Sequence, residues 1–320
     1  MKLLITGGAG FIGSNFIRQV MNSHPDWDII NFDALTYAGN INNLKGIEKN
    51  SHYTFIRGDI CNQVSVNAIL DSHHIDAIVH FAAESHVDRS ISNASAFVMT
   101  NVVGTHTLLE CARIHSISKF IHISTDEVYG STLGSSFKET DILSPSSPYS
   151  ASKAGSDLLA LSYFSTYNLP VIITRCTNNF GPYQFPEKLI PFFVTNLLDG
   201  KKVPVYGTGK NIRDWIHVND HCRAIEFLLE RGNYGEIYNI GGGHEKSNLE
   251  ITRKILDLLS RDESMIEYVK DRPGHDFRYS LDCSKLHALG WKPIHSFDEA
   301  LEETVTWYTR NEWWWRPLKK

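Results

Sequence analysis

The chain has 320 residues, of which 42% are hydrophobic and 21% charged, and its formal net charge is -5. This length allows one large domain or two of ordinary size, and the composition is typical of soluble globular proteins. The negative charge argues against nonspecific nucleic-acid binding, which needs a basic face. No nucleic-acid partner is therefore expected.

Five scattered cysteines without a Cys-x-x-Cys pair, and histidines without a ligand spacing, predict neither a metal site nor a dithiol motif. This cysteine usage fits a reducing compartment. The N-terminus lacks the long apolar core of a signal peptide, and no run approaches the roughly 18 apolar residues of a membrane span. We therefore expect a cytoplasmic protein with no membrane partner.

Short apolar runs alternate with longer amphipathic stretches in the first half of the chain. The predicted strands lie at residues 3–5, 28–33, 53–56, 76–83, 119–123 and 171–174. A near-helical apolar spacing predicts a helix over 97–113. Strands alternating with helices imply a parallel sheet covered on both faces. Six such strands predict an α/β fold of the doubly wound Rossmann type.

A glycine-rich loop follows the first predicted strand, in the segment LLITGGAGFIGSNF. Gly8, Gly10 and Gly13 match Gly-x-Gly-x-x-Gly, while Gly7, Gly10 and Gly13 match a Gly-x-x-Gly-x-x-Gly variant. Between a strand and a helix, such glycines permit a tight turn, the approach of a pyrophosphate and close packing of the helix. The segment therefore predicts a dinucleotide site.

Acidic residues follow the next two strands. Asp33 ends the second strand, and a carboxylate there would accept hydrogen bonds from both adenosine ribose hydroxyls and repel a 2′-phosphate. Because no arginine adjoins Asp33, the sequence predicts NAD rather than NADP. Asp59, after the third strand, is expected to contact adenine or to be a simple turn residue.

Two adjacent carboxylates, Asp126 and Glu127, follow the fifth strand in the segment STDEVYG. Such a pair at a strand end is either a solvated turn or a site of proton chemistry. The residues of this segment alone leave both readings open.

Tyr149 and Lys153 are four residues apart in SPYSASKAG, so a helix that begins after Pro148 would carry both on one face. A nearby ammonium is expected to lower the pKa of a phenol. The phenolate could then take the proton of a carbinol as hydride leaves for a nicotinamide.

The alternation changes after about residue 175, where prolines and glycines become frequent. We predict an NAD-binding Rossmann domain over 1–175 and a smaller α/β substrate-binding domain over 176–320. A helix predicted at 218–232 is expected to bring residues 212–240 back onto the sheet, so the smaller domain would be discontinuous. A final helix is predicted over 297–315.

Nine segments carry a resemblance to a known family: TGGAGFIGSNF, DALTYAGN, HFAAESHVDRSI, STDEVYG, YSASKAGSD, NNFGPYQFPEKLIP, NIRDWIHVNDH, DRPGHDFRY and NEWWWRPLK. Along essentially its whole length, the chain resembles the extended short-chain dehydrogenases/reductases, which are NAD-dependent sugar-nucleotide enzymes. The acid pair of STDEVYG is similar to that of the family's 4,6-dehydratases. Epimerases of the family generally lack this pair.

The resemblance implies a tightly bound NAD and a nucleotide-sugar substrate. TYAGN resembles the branch that acts on dTDP-glucose, and the product would be a 4-keto-6-deoxy sugar, a precursor of deoxysugars such as rhamnose. A UDP-sugar 4,6-dehydratase, or a family epimerase or decarboxylase, remains an alternative. A noncatalytic NAD-binding regulator is the rival outside this class, but it would not need Tyr149, Lys153 and the acid pair together.

Five residues receive catalytic roles from the resemblance. Thr125 would hydrogen-bond the substrate hydroxyl, and Tyr149, with Lys153, would remove the proton of the C4 hydroxyl. Glu127 would remove the C5 proton and Asp126 would protonate the departing C6 hydroxyl. Asp126 must then begin protonated, so burial and proximity to Glu127 are expected to raise its pKa.

Contact residues are implied in the same way. Those expected to bind the cofactor are Gly7, Gly10, Phe11, Ile12, Gly13, Asp33, Leu35, Thr36, Asp59, Ile60, Ala82, Ala83, Glu84, Thr100, Tyr149, Lys153 and Asn179. Those expected to bind the substrate are Ser85, His86, Thr125, Asn178, Glu187, Lys188, Leu189, Pro204, Val205, Tyr206, Arg213, Asn248, Arg272 and His275. Phe277 stands where relatives often have arginine. A homodimer is also implied, through helices around 94–113 and 150–166.

Overall fold

The computed structural model describes residues 1–271 and 275–319. Its strands are β1 (Lys2–Thr6), β2 (Asp28–Asp33), β3 (Tyr53–Arg57), β4 (Ala77–His80), β5 (Lys119–Thr125), β6 (Val171–Cys176), β7 (Asn178–Phe180), β8 (Val203–Tyr206), β9 (Ile212–His217), β10 (Ile237–Ile240), β11 (Glu245–Ser247) and β12 (Ile266–Val269). Its α-helices are α1 (Phe11–Ser23), α2 (Gln63–His73), α3 (Val87–Ser92), α4 (Ala94–Phe97), α5 (Thr105–Ile114), α6 (Pro148–Tyr167), α7 (Leu189–Leu198), α8 (Val218–Arg231), α9 (Asn248–Leu258), α10 (Ser284–Ala288), α11 (Phe297–Arg310) and α12 (Glu312–Trp315).

A parallel sheet of seven strands, in the order β3-β2-β1-β4-β5-β6-β10, forms the centre of the larger part of the chain. Apolar residues fill its middle strands on both faces, since Leu3, Leu4 and Ile5 of β1 are all fully buried. The doubly wound Rossmann prediction is thereby confirmed. β1 lies between β2 and β4, so the chain crosses over there and leaves a crevice at the carboxyl ends of the strands.

Several predicted bounds differ from the observed ones. The six predicted strands are present, but β4 ends at His80 and the seventh strand, β10, was not predicted because its four residues stand alone between turns. The predicted helix over 97–113 is divided by a π-helix, Val98–Gly104. The last predicted helix ends at Arg310, and Asn311 (φ -118°, ψ 44°) separates it from α12.

A smaller group of elements packs beside this sheet. β11, β9 and β7 form a three-stranded sheet and β12 pairs with β8, while α7, α9 and α11 cover their own apolar core. Within residues 212–240, β9 belongs to this small sheet, whereas α8 packs against α1 and β10 joins the large sheet. The domain boundary at about residue 175 stays a prediction. Among the helices of the described residues, none is both long and apolar enough to cross a bilayer.

A buried group of polar side chains fixes α6 to the large sheet. The Arg175 Nε donates to the Asp157 Oδ2 (2.9 Å), and the His122 Nε2 lies 3.3 Å from the Asp157 Oδ1. The Arg175 Nη1 also donates to the Tyr129 hydroxyl (2.7 Å). Burial acts to raise the pKa of Asp157, but His122 and Arg175 outweigh it and the net pKa is lowered. The ionised carboxylate therefore depends on its partners.

We expect Arg175→Leu to lower the free energy of unfolding by about 3–5 kcal/mol, because it leaves the buried Asp157 carboxylate without its cation. Urea denaturation measures this loss. Arg253→Leu is the matched control: its pair with Glu263 (2.7 Å) has side chains 51% and 62% exposed, so about 0–1 kcal/mol is expected. Equal losses in the two variants would contradict the role of Arg175.

Candidate active site

A cavity of about 320 Å³ lies at the carboxyl ends of the central strands. Every residue predicted to bind the cofactor lines it except Leu35. The predicted catalytic residues line it as well, and so do five of the predicted substrate residues: Ser85, Thr125, Asn178, Glu187 and Lys188. The parallel strands thus bring together residues that are far apart in the sequence.

The glycine loop leaves room for a ligand backbone at the start of α1. Gly7 has a φ of +73°, and a Cβ there would lie 2.5 Å from the Ala82 backbone nitrogen; a Cβ on Gly13 would lie 2.4 Å from the Gly7 oxygen. Gly7, Gly10 and Gly13 line the cavity, whereas Gly8 packs against Asn31 and Ile17. Gly10 caps α1 without a side chain, so the first N–H groups of this helix remain available to an anion.

Asp33 is held in place by two backbone donors. Its Oδ2 accepts from the Ala9 N–H (2.8 Å) and its Oδ1 from the Leu35 N–H (2.7 Å). Burial raises the pKa of Asp33, and these two hydrogen bonds oppose the rise. The Leu35 backbone is left-handed (φ 54°) and its N–H donates to Asp33, while its own atoms lie outside the cavity lining. The expected cofactor contact of Leu35 stays a prediction. A fixed carboxylate beside an anion cradle fits a dinucleotide.

The acid pair begins a short 3₁₀ turn, Asp126–Tyr129, directly after β5. Thr125 caps this turn: its Oγ1 accepts from the Glu127 N–H (3.3 Å) and donates to the Asp126 Oδ1 (3.2 Å). Asp126 is only 3% exposed, so the segment is no solvated turn. Burial first, and the charge of Glu127 second, raise the pKa of Asp126 well above its usual value. Asp126 therefore holds its proton to a higher pH than an exposed carboxyl group does.

Tyr149 and Lys153 lie in the first turns of α6, which starts at Pro148 with a capping box between Ser147 and Ser150. The Lys153 ammonium donates to the Ile123 carbonyl (2.6 Å), and burial lowers its pKa to about 8. The expectation of a lowered phenol pKa is wrong for this structure. Burial, followed by the negative charge of Glu127, raises the pKa of Tyr149 well above 10.

The π-helix Val98–Gly104 supports this arrangement. It places Thr100 at the cavity and Asn101 behind it, where Asn101 accepts from the Glu84 N–H (2.9 Å) and donates to the Glu84 oxygen (3.0 Å) and the Ser152 Oγ (2.8 Å). Asn101 therefore joins the end of β4 to the catalytic helix α6. The sequence analysis did not single out this residue, because a helical repeat gives no sign of a π-turn.

Other cavity residues were also missed. They include Tyr37, Gln184 and Phe185, all of which line the cavity. Each lies in a segment that carried the family resemblance, DALTYAGN or NNFGPYQFPEKLIP. These segments were the available signal, but aromatic and amide residues in a loop do not by themselves distinguish a ligand contact from packing.

The remaining predicted substrate residues lie outside this cavity lining. The Arg213 guanidinium stacks on Tyr279 (4.3 Å), and its positive charge acts to lower the pKa of Asp126, so this group is near the acid pair. Tyr206 meets His275 edge-on (6.3 Å between ring centroids). The set outside the lining is His86, Leu189, Pro204, Val205, Tyr206, Arg213, Asn248 and His275. Val205 is 1% exposed in the apolar core, and Arg272 lies outside the described residues.

Known proteins share this fold and are similar to the chain along its length. The family model described as GDP-mannose 4,6 dehydratase matches residues 4–304. A dTDP-glucose 4,6-dehydratase of Streptomyces niveus is 52% identical over 100% of this chain and 96% of its own length. The crystal structure of DesIV, a dTDP-glucose 4,6-dehydratase from Streptomyces venezuelae with NAD and TYD bound, is 54% identical, covers 100% of both chains and has a TM-score of 0.97.

A structure of UDP-glucose 4-epimerase from Thermotoga maritima with UDP-glucose has a TM-score of 0.91 at 29% identity, over 98% of this chain and 100% of its own. The fold and the cavity therefore define a dinucleotide-dependent sugar-nucleotide enzyme of the extended short-chain dehydrogenase/reductase class. Within that class, the chain belongs to the nucleotide-sugar 4,6-dehydratase family that the matching model describes.

The raised pKa of Asp126 has a measurable consequence for stability. Between the unfolded pKa of about 3.9 and the raised folded value, only the folded state keeps the proton, so the wild type loses up to about 1.4 kcal/mol per pH unit as pH rises. Asp126→Asn removes this dependence. We expect the wild type to become less stable relative to this variant from pH 4 to pH 7, as measured by urea denaturation.

Asp262→Asn is the control, because hydrogen bonds from Ser264 lower the pKa of Asp262. Its contribution is already complete above the unfolded pKa and is lost only as pH falls, so little change is expected between pH 5 and pH 7. A parallel stability profile of the wild type and Asp126→Asn would show that Asp126 is ionised in the folded protein.

Proposed function

We propose that this protein is an NAD-dependent dTDP-glucose 4,6-dehydratase, a hydro-lyase that converts dTDP-glucose to dTDP-4-keto-6-deoxyglucose and water. The observation that carries the proposal is the buried Asp126 beside Glu127, in the same cavity as Tyr149 and Lys153. An epimerase of the same fold needs no such acid pair. The whole-length similarity to dTDP-glucose 4,6-dehydratases supports the choice of substrate.

NAD, when bound, supplies the hydride acceptor for oxidation at C4 and returns the hydride to C6, so it is regenerated in each turnover. The residues that would hold it are the glycine loop, through the N–H groups of α1, and Asp33, through the ribose hydroxyls. A carboxylate fixed by Ala9 and Leu35 would repel the 2′-phosphate of NADP. Selectivity for NAD follows from that geometry.

In this proposal Tyr149 takes the proton of the C4 hydroxyl, and Thr125 holds the same hydroxyl by a hydrogen bond. The raised pKa of Tyr149 means that the phenol is neutral before the cofactor and substrate bind. The positive charge needed to form a phenolate must come from Lys153 together with the bound cofactor. The Ile123 carbonyl keeps the Lys153 ammonium directed at the end of β5.

The acid pair then carries the elimination. A C4 ketone acidifies the C5 proton, which Glu127 would remove, and Asp126 would give its proton to the departing C6 hydroxyl so that water leaves. When the hydride is returned to C6, the protonated Glu127 would give a proton back to C5. Burial raises the pKa of Asp126 and so favours this protonated form. The low-dielectric surroundings of Asp126 thus favour the protonated acid that this step needs.

The dTDP diphosphate needs cations and N–H donors. Lys188 lines the cavity, and its ammonium donates to the Ser85 oxygen (2.9 Å). Arg213 is buried near the acid pair, and His275 lies beside Tyr206. We assign these residues to the nucleotide-sugar side of the site. The proposed preference for dTDP-glucose over UDP-glucose is supported by the similarity to dTDP-glucose 4,6-dehydratases.

The direct test is product analysis with dTDP-glucose and UDP-glucose in deuterated water, for the wild type and two amide variants. Wild-type protein should release dTDP-4-keto-6-deoxyglucose from the first substrate. Glu127→Gln should form the 4-ketose but exchange its C5 hydrogen slowly, because the base is absent. Asp126→Asn keeps this base, so C5 exchange should continue while water loss falls by about 10²–10⁴-fold.

Tyr149→Phe is the control, since it should block the oxidation that precedes both steps. Wild-type dehydration rates in Asp126→Asn and Glu127→Gln would reject the assignment of the acid pair. Exclusive turnover of UDP-glucose would replace the proposed substrate with the UDP-sugar, and a C4-epimerised sugar without loss of water would favour an epimerase.

The expected homodimer is proposed from an exposed apolar surface on the helices named by the resemblance. Val98, Met99 and Leu158 are 49–59% exposed on the π-helix and α6. A second copy of the chain would cover this surface. The five free cysteines support a cytoplasmic location.

Val98→Glu combined with Leu158→Glu should convert the dimer to a monomer, because two charges would be buried at the interface. Light scattering after size-exclusion chromatography gives the mass. Val64→Glu, at a position 79% exposed on α2, is the control and should keep the wild-type mass. A wild-type protein that is already monomeric would contradict the proposal.

A further inference from the structure

Three segments meet at one point beside the cavity. They are the loop after β2, which carries Tyr37, the start of α3, which carries Arg89, and the segment before α7, which carries Phe185 and Glu187. Tyr37, Phe185 and Glu187 line the cavity, whereas Arg89 lies outside the lining. Arg89 has no role in the chemistry proposed above.

The contacts at this point centre on Arg89. Its guanidinium carbon lies 3.8 Å from the centroid of the Tyr37 ring, and its Nη2 lies 3.5 Å from the Glu187 Oε2. Tyr37 also meets Phe185 edge-on, with ring centroids 5.8 Å apart and an interplanar angle of 80°. Together these contacts join α3 to the two cavity-lining segments that carry Tyr37 and Glu187.

The charges favour Arg89 as the cation of this group. His86 also faces Glu187 (3.5 Å), but burial, followed by the charge of Lys188, lowers its pKa, so it is neutral at physiological pH. An arginine keeps its charge at any such pH. Burial, followed by the charge of Glu187, raises the pKa of Tyr37 above its usual value, so its ring stays an uncharged phenol. An uncharged aromatic face is what a guanidinium stacks on.

The position of Tyr37 connects these contacts to the cofactor. Asp33 and Thr36, on the same loop, line the part of the cavity that fits the adenosine ribose. Glu187 and Lys188, which are proposed to bind the sugar nucleotide, line the same cavity. A ligand that extends from the glycine loop along the strand ends would pass both segments. Separating them requires that the Arg89 guanidinium leave either Tyr37 or Glu187.

We propose that Arg89 is a cofactor-retention residue, which slows the departure of NAD by tying the Tyr37 loop to Glu187. This inference rests on the proposed NAD cofactor. The dehydration regenerates NAD without releasing it, so slow dissociation costs no turnover and keeps the enzyme active when free NAD is scarce. Arg89 therefore acts on retention and not on the chemical steps.

The experiment measures the dissociation rate of NAD from protein loaded with it and then diluted into NAD-free buffer. Arg89→Ala should release NAD about tenfold faster, a size typical of losing one stacked and ion-paired guanidinium. Its kcat at saturating NAD should be unchanged. Arg231→Ala is the matched control, because Arg231 also stacks on an aromatic ring, Phe227 (5.4 Å), but outside the cavity lining.

A double variant separates retention from a general loss of stability. In a Tyr37→Leu background, Arg89→Ala should add little to the NAD dissociation rate, since its stacking partner is already gone. Equal effects of Arg89→Ala in both backgrounds would overturn the proposal, and so would wild-type NAD release from Arg89→Ala. Faster release from Arg231→Ala would do the same. Because NAD release is measured without a sugar substrate, failure here is distinct from failure of the proposed dehydration.

Discussion

The common direction of the seven central strands is the constraint on which the rest of this structure depends. Parallel strands end at one edge of the sheet, so the loops after β1, β2, β4, β5 and β6 all open onto the same crevice. The chain crosses over on either side of β1, and the loops diverge there. The glycine loop, the Asp33 carboxylate and the acid pair consequently face one cavity, although more than a hundred residues separate the first from the last.

Burial at that edge sets the protonation of the site. The same exclusion of water raises the pKa values of Asp126 and Tyr149 and lowers that of Lys153, since in each case it disfavours the charged form. Burial therefore favours the neutral forms of the Asp126 acid and the Tyr149 phenol in the free protein. In the proposed mechanism, the proton favoured on Asp126 is the one that elimination needs, whereas the phenolate of Tyr149 needs positive charge from its surroundings when the ligands are bound.

Rigid supports behind the cavity make this burial possible. Asp157, Arg175 and His122 hold α6 against β5 and β6, and Asn101 joins the same helix to the end of β4. On the outer side, Arg89 links the Tyr37 loop to Glu187. Helix α6 is thus held by buried groups. The contact proposed to retain the cofactor depends instead on Arg89, whose side chain is half exposed. Stability thus depends on the buried Asp157 group, whereas cofactor release is proposed to depend on the contacts of Arg89.

The amino-acid sequence by itself determined the Rossmann fold, the six strands, the glycine loop and the place of the acid pair, because apolar alternation and local motifs encode them. It favoured a lowered pKa for Tyr149, and only the tertiary structure decided the opposite, since burial depends on neighbours distant in the chain. Only the tertiary structure shows three further features: the Leu35 N–H donates to Asp33, a π-helix places Asn101, and β10 becomes a strand by pairing with β6. The contact between Arg89 and Tyr37 joins a short helix to a distant loop. No spacing in the sequence predicts this contact, because only the sheet brings the segments after β2 and β4 together.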